Sequence, residues 1–201
     1  MMKRIIAAVW VLAGIVVASM AAFAYSPAPA PLMTTWGEAM TPETAWRAYP
    51  RPQMTRPGWT CLNGLWKYAV TPVTKTSGRP TQWDGEILVP FVPESALSGV
   101  GRTIQPDEFL WYTREIVCDP QPGERILLHF DGVDFRAQIY VGHTEITDVP
   151  HFGAQEPFTL DITPYVKKGA NELTVCAWDP TDDFIQSRGK QTVSSLAPFF
   201  T

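Results

Sequence analysis

RILLHFDGVDFRAQIYVGHTEITDVPHFGAQEPFTLDI, residues 125–162, decides the fold class. Ile126, Leu128 and Phe130 alternate with Leu127, His129 and Asp131. Successive side chains of a strand point to opposite faces, so this spacing lays an apolar row on one face. Asp131-Gly132 interrupts the row with a turn at which positive φ costs glycine little. Ala137, Ile139 and Val141 form a second row, ended by a turn at Gly142-His143. Phe158, Leu160 and Ile162 form a third. No helix of usable length fits among them.

The neighbouring segments repeat the pattern. Residues 110–118 (LWYTREIVC) are aromatic and β-branched, as strands favour. Residues 119–123 (DPQPG) form a turn, and 164–170 a loop or short helical turn. Residues 171–178 (NELTVCAW) set Leu173, Val175 and Ala177 against Thr174, Cys176 and Trp178. Upstream, 62–70 (LNGLWKYAV) is a strand entered through Asn63-Gly64, with Trp66 and Tyr68 opposite Leu65 and Lys67. Residues 71–85 are a loop, and 86–89 a short strand stopped by Pro90, which cannot donate in a ladder. Residues 95–107 are an irregular connection. Short strands, frequent turns and almost no helix specify an all-β sandwich. Uneven connection lengths favour a jelly roll over a meander.

The N-terminal region differs in kind. Lys3 and Arg4 precede an apolar run from Ile5 to Met20, and Ala22-Phe23-Ala24 has the small-x-small form of a signal-peptidase site. Residues 1–24 therefore read as a secretory signal peptide. An uncleaved anchor is the rival, since the run is long enough to span a bilayer. Cleavage before Tyr25 leaves roughly 180 residues, enough for one domain with a core. Residues 25–58 form a Pro-rich arm with Pro27, Pro29, Pro31, Pro42, Pro50, Pro52 and Pro57. Thr41-Pro42 has the form of a helix start. Trp36, Trp46, Tyr49 and Trp59 are too apolar for a pure linker, so the arm is expected to lie across the domain and bury some of these rings. Residues 59–201 are the sandwich domain.

The net charge is −4 with both signs interspersed, so nothing points to nucleic acid or to a charge-driven partner. Cys61, Cys118 and Cys176 allow at most one disulfide, and buried thiols in or beside strands are the plainer reading. No cysteine or histidine pair has metal-ligand spacing, and neither a metal nor a cofactor is expected.

Several tags resemble glycoside hydrolase family 2, in that family's order. They are Tyr49-Pro50-Arg51-Pro52-Gln53, Leu62-Asn63-Gly64-Leu65-Trp66, and Val89-Pro90-Phe91-Val92-Pro93-Glu94-Ser95-Ala96-Leu97-Ser98-Gly99. Leu110-Trp111-Tyr112 and Leu128-His129-Phe130-Asp131-Gly132-Val133-Asp134 follow. Pro157-Phe158-Thr159-Leu160-Asp161-Ile162-Thr163, Trp178-Asp179-Pro180-Thr181-Asp182 and Gly189-Lys190-Gln191 complete the set. The resemblance implies the N-terminal sugar-binding domain of that family, a galactose-binding-domain-like jelly-roll sandwich. In full-length members an immunoglobulin-like domain and a (β/α)₈ barrel follow, and the barrel holds both catalytic glutamates. The family includes β-galactosidases, β-glucuronidases and β-mannosidases. The expectation is a chain truncated before the barrel and inactive alone. Departures stand at Gly142-His143, where the family often has Asn-Gly, and at Ala154, where it often has a second glycine.

The residues themselves offer little for catalysis. A retaining glycosidase needs two carboxyl groups about 5–5.5 Å apart. Asn171-Glu172 copies the family's acid/base dipeptide, but it opens a strand behind Lys167-Lys168-Gly169-Ala170 and reads as a turn exit. No catalytic residue is assigned. Asp179, Asp182 and Asp183 read either as a turn network accepting backbone N–H bonds or, with Lys190, as what the resemblance implies: Asp179, Asp182 and Lys190 touching sugar hydroxyls in a complete enzyme. Trp83, in the Gln82-Trp83-Asp84-Gly85 loop, is the best candidate for an exposed sugar-stacking ring. Three functions remain: the N-terminal domain of an exported glycosidase, a stand-alone secreted carbohydrate-binding module, and a non-functional remnant. The expected partners are carbohydrate, in the complete enzyme, and the missing immunoglobulin-like and barrel domains. Neither nucleic acid nor, after signal cleavage, a membrane is expected as a partner.

Overall fold

A computed structural model describes residues 25–30, 32–47, 57–74, 78–181 and 186. Among the described residues are one short α-helix, α1 (Thr35–Glu38), one turn of 3-10 helix (Ala96–Ser98), and nine strands: β1 (Gly64–Pro72), β2 (Gly85–Val89), β3 (Glu108–Cys118), β4 (Leu127–Phe130), β5 (Arg136–Val141), β6 (Thr144–Glu145), β7 (His151–Phe152), β8 (Phe158–Asp161) and β9 (Gly169–Trp178). Seven strands form one antiparallel sheet in the order β2-β1-β3-β9-β5-β6, with β7 also paired to β5. The other two, β4 and β8, pair antiparallel in a second sheet. This is the expected all-β sandwich.

Alternation along the strands places the core between the two sheets. Trp66, Ile116, Ala137, Ile139, Leu173 and Val175 bury the inner face of the large sheet, and Leu128 and Ile162 from the side of the small sheet join the same cluster. The three rows read from residues 125–162 all face this core, with Phe130, Phe158 and Leu160 packed at its margin. Phe130 and Phe158 are register partners whose rings stack 4.7 Å apart. Full burial of each large aliphatic side chain in this cluster is worth about 1.5–3 kcal/mol.

Local hydrogen bonds fix the ends of the small sheet. Asp161 Oδ1 accepts from the Thr163 N–H (3.0 Å) and hydroxyl (2.6 Å), and Arg125 Nε donates to Asp161 Oδ2 at 2.8 Å. These donors hold the Asp161 carboxyl below the usual carboxylate range, the Thr163 hydroxyl contributing most. The Ile126 N–H donates in turn to Thr163 Oγ1 at 2.7 Å. Gly132 is not at positive φ, contrary to expectation. It is required because a Cβ there would stand 2.7 Å from the Ala154 carbonyl oxygen, so two backbones pass in contact.

The outer face of the large sheet is also covered in part. Ala69, Phe109, Trp111 and Cys176 form a second cluster, against which Trp83, Tyr140 and Trp178 pack. The β1–β2 connection reaches over this face. Arg79 donates to the Gly142 carbonyl and pairs with Glu172 on β9, and Asp84 Oδ2 accepts from the Val70 N–H at 2.8 Å. The indole N–H groups of Trp111 and Trp178 donate to Thr71 Oγ1 (2.9 Å) and the Pro106 carbonyl (2.8 Å). The three cysteines are free thiols, with Cys118 and Cys176 buried. Burial pushes the Cys176 thiol up to about 12, which removes it from thiolate chemistry.

The arm meets expectation only in part. Trp36 is 80% and Trp46 57% exposed, so these rings do not pack on the domain. Trp59 is half-buried and stacks on His129 at 5.2 Å, and Tyr49 lies outside the described residues. Residues 42–47 form turns, and the helix sits earlier, at α1, where Thr34 caps it by accepting the Gly37 N–H at 3.1 Å. A Pro-rich chain has few backbone donors with which to extend a helix, so the local side-chain cap decides where one turn forms.

Candidate functional site

One cavity of about 390 Å³ opens on the inner side of the sandwich. Its sheet wall comes from alternate residues of three strands: Trp66 on β1, Leu110 and Tyr112 on β3, Val175 and Ala177 on β9. The loop after β2 adds residues Phe91, Val92 and Pro93, and the β4–β5 turn adds Val133 and Asp134. Asp179, directly after β9, supplies a second carboxylate. Burial, with the Glu94 carboxylate adding to it, pushes the Tyr112 hydroxyl far above the ordinary phenol range, so it remains a neutral donor. An apolar cleft with a few placed polar groups is the common form of a small-ligand site.

Asp179 is held from two directions. Its Oδ1 accepts the Thr181 N–H at 2.7 Å and the Gln186 side-chain amide at 2.8 Å. The first is the Asx-type turn anticipated from sequence, and the second is a contact that no local pattern announces. Thr181 is fully buried at φ 47, in the left-handed region. Asp182 and Lys190 lie outside the described residues. Trp83 is half-buried against Ala69, Phe109, Trp111 and Cys176 rather than standing clear of the surface, and it lies on the opposite face of the large sheet from the cavity. Trp83 and Asp179 therefore do not share a site.

The remaining candidates have structural partners. Asn171 is buried: its Oδ1 accepts the Lys167 N–H (2.9 Å), and its amide donates to the Lys167 (2.7 Å) and Gly169 (2.9 Å) carbonyls. Glu172 points to the other face and pairs with Arg79. This dipeptide closes a turn, as its context indicated. His129 Nδ1 lies 2.8 Å from Thr159 Oγ1, and His151 stacks on Phe158 at 4.0 Å. Among the described residues no three His, Cys, Asp or Glu side chains gather as a metal site would require.

Residues 98–190, from the loop ahead of β3 to beyond Asp179, match the family model described as "Glycosyl hydrolases family 2, sugar binding domain". This segment is a family 2 sugar-binding domain. A putative beta-glucuronidase of Formosa agariphila is 29% identical over 66 residues, which is 32% of this chain and 8% of that protein. Among solved structures, the chain is similar to the Lactobacillus rhamnosus beta-glucuronidase, with 27% identity, TM-score 0.45, and 59% of this chain against 20% of that one. It is also similar to the Faecalibacterium prausnitzii beta-glucuronidase, with 23% identity, TM-score 0.46, and 58% against 20%. For the beta-D-mannosidase of Dictyoglomus thermophilum the figures are 18% identity, TM-score 0.46, and 60% against 15%. The chain thus spans a fifth or less of the length of these relatives. The segment matched by the family model holds β3 to β9 and Asp179, while β1 and β2 precede it.

Proposed function

We propose that this chain is the N-terminal sugar-binding and scaffold domain of an exported glycosidase. It contributes binding contacts to a substrate pocket completed by other domains and does not itself cleave glycosidic bonds. The observation that carries this reading is the family match over residues 98–190, which includes Asp179, clamped by Thr181 and Gln186 beside an apolar cavity. A carboxylate held in one rotamer accepts hydroxyl donors without a further ordering cost. The relatives named beta-glucuronidase and beta-D-mannosidase support a pyranoside as the ligand of the complete enzyme.

Purified chain should give no turnover of nitrophenyl glucuronides, galactosides or mannosides. Turnover that survives rigorous purification would overturn the scaffold reading. Titration calorimetry with the matching free sugars separates the rival: millimolar or tighter binding by the chain alone would make it a stand-alone module.

Export rests on Lys3 and Arg4, the apolar run from Ile5 to Met20, and Ala22-Phe23-Ala24. The intact mass of chain recovered outside the cytoplasm should correspond to a start at Tyr25. A mass that retains residues 1–24 would favour the anchor.

A further inference from the structure

We propose that residues 25–28 form a strap that locks the loop lining one wall of the cavity, so that the first residues after the expected cleavage point are part of the folded domain. The Tyr25 hydroxyl donates to the Leu97 carbonyl at 2.7 Å, and the Ala28 N–H donates to the Ala96 carbonyl at 2.8 Å. Two hydrogen bonds across more than sixty residues, one from a side chain and one from the backbone, define both the position and the direction of the strap.

The seat is built for close approach. Gly99 stands at φ +82 and Gly101 at φ +63, where glycine is favoured. A Cβ on Gly99 would lie 3.2 Å from the Ser26 carbonyl oxygen and 3.3 Å from the Tyr25 ring. A Cβ on Gly101 would lie 2.7 Å from the Ala28 Cβ. The bare backbone at both positions therefore receives the strap, beyond serving the turn.

The seat is wired to the cavity. Ser98, fully buried, has its hydroxyl between the Ser95 carbonyl at 2.7 Å and the Pro93 carbonyl at 3.1 Å as acceptors, and accepts the Val100 N–H at 2.9 Å. The Arg102 N–H donates to the same Pro93 carbonyl at 3.0 Å. Pro93 adjoins Phe91 and Val92 in the cavity wall. Force on residues 96–101 is thus carried to that wall through hydrogen bonds rather than through a flexible linker. The strap is a conformational latch: docked, it orders the wall, and removed, it leaves the wall held by the loop's own bonds.

The test is hydrogen exchange on the exported chain, comparing Tyr25→Phe, Tyr25→Ala and Ala28→Leu with the parent. Ala28→Leu pushes the strap off Gly101 without altering the loop. Tyr25→Ala and Ala28→Leu should speed exchange across residues 90–102 by about tenfold or more, and Tyr25→Phe by a few-fold, while the β3 and β9 amides keep their protection. Unchanged exchange in all three variants would overturn the latch. So would an equal rise everywhere, which would make residues 25–28 a general stabiliser instead.

Discussion

Ile139→Ala should lower the unfolding free energy by about 2–5 kcal/mol, read as a drop in the urea midpoint at unchanged slope. Ile139 has no exposed surface and lies at the centre of β5, with Val175 of β9 as its register partner and the small sheet across the core. Truncation removes buried methyl groups and leaves a cavity that a sheet on each side keeps from collapsing. For a domain of this size each kcal/mol shifts the melting temperature by roughly 2–4 °C, so the change is easily read. Val117 provides the control. It lies on β3 but is 80% exposed, and Val117→Ala should stay within about 0.5 kcal/mol. Equal costs at the two positions would show that the inner face of the large sheet has been assigned wrongly.

Thr113→Val should cost about 1–3 kcal/mol, far more than its small change in shape suggests. Thr113 on β3 and Thr174 on β9 are register partners, both buried on the outer face, with their hydroxyl oxygens 3.0 Å apart. The Thr113 hydroxyl also donates to the Leu173 carbonyl at 3.0 Å. Replacing Thr113 strands the fully buried Thr174 hydroxyl without its partner. Replacing Thr174 leaves Thr113 its carbonyl acceptor and should cost less, near 1 kcal/mol. The double variant removes both hydroxyls, so its cost should fall below the sum of the singles by roughly 1 kcal/mol. Strict additivity in denaturant titrations would mean that the two hydroxyls do not depend on each other.

Both predictions come from strands whose alternation was plain in the sequence. Leu173 and Val175 against Thr174 and Cys176, and Trp66 and Tyr68 against Lys67, were assigned to opposite faces and lie there. Strand ends were less legible. β3 begins at Glu108 and β9 at Gly169, each two residues ahead of the strand read from the sequence, because β1 pairs with Glu108 and Phe109 and β3 pairs with Gly169 and Ala170. The two-residue strands β6 and β7 were missed altogether, since two residues carry no period. Exposure of Trp36 and Trp46 ran against hydrophobicity, since both rings face away from the domain. Trp83 was placed by its loop, but the loop folds over the sheet and takes the ring with it.

At the candidate site the split is similar. Asp179 and its turn to Thr181 were legible because an Asx turn is closed within two residues. Gln186 as its second anchor was not, nor was the pairing of Arg79 with Glu172, nor the docking of Tyr25 on Leu97. By itself the amino-acid order determined the longer strands, the rows that face inward and the family tags, since each is written within a few neighbouring residues. Only the tertiary structure decided which strands are neighbours, what covers the outer face and which groups surround the cavity. Those contacts join residues dozens of positions apart, and their energy arises only when several strands bury surface together, which no local spacing records.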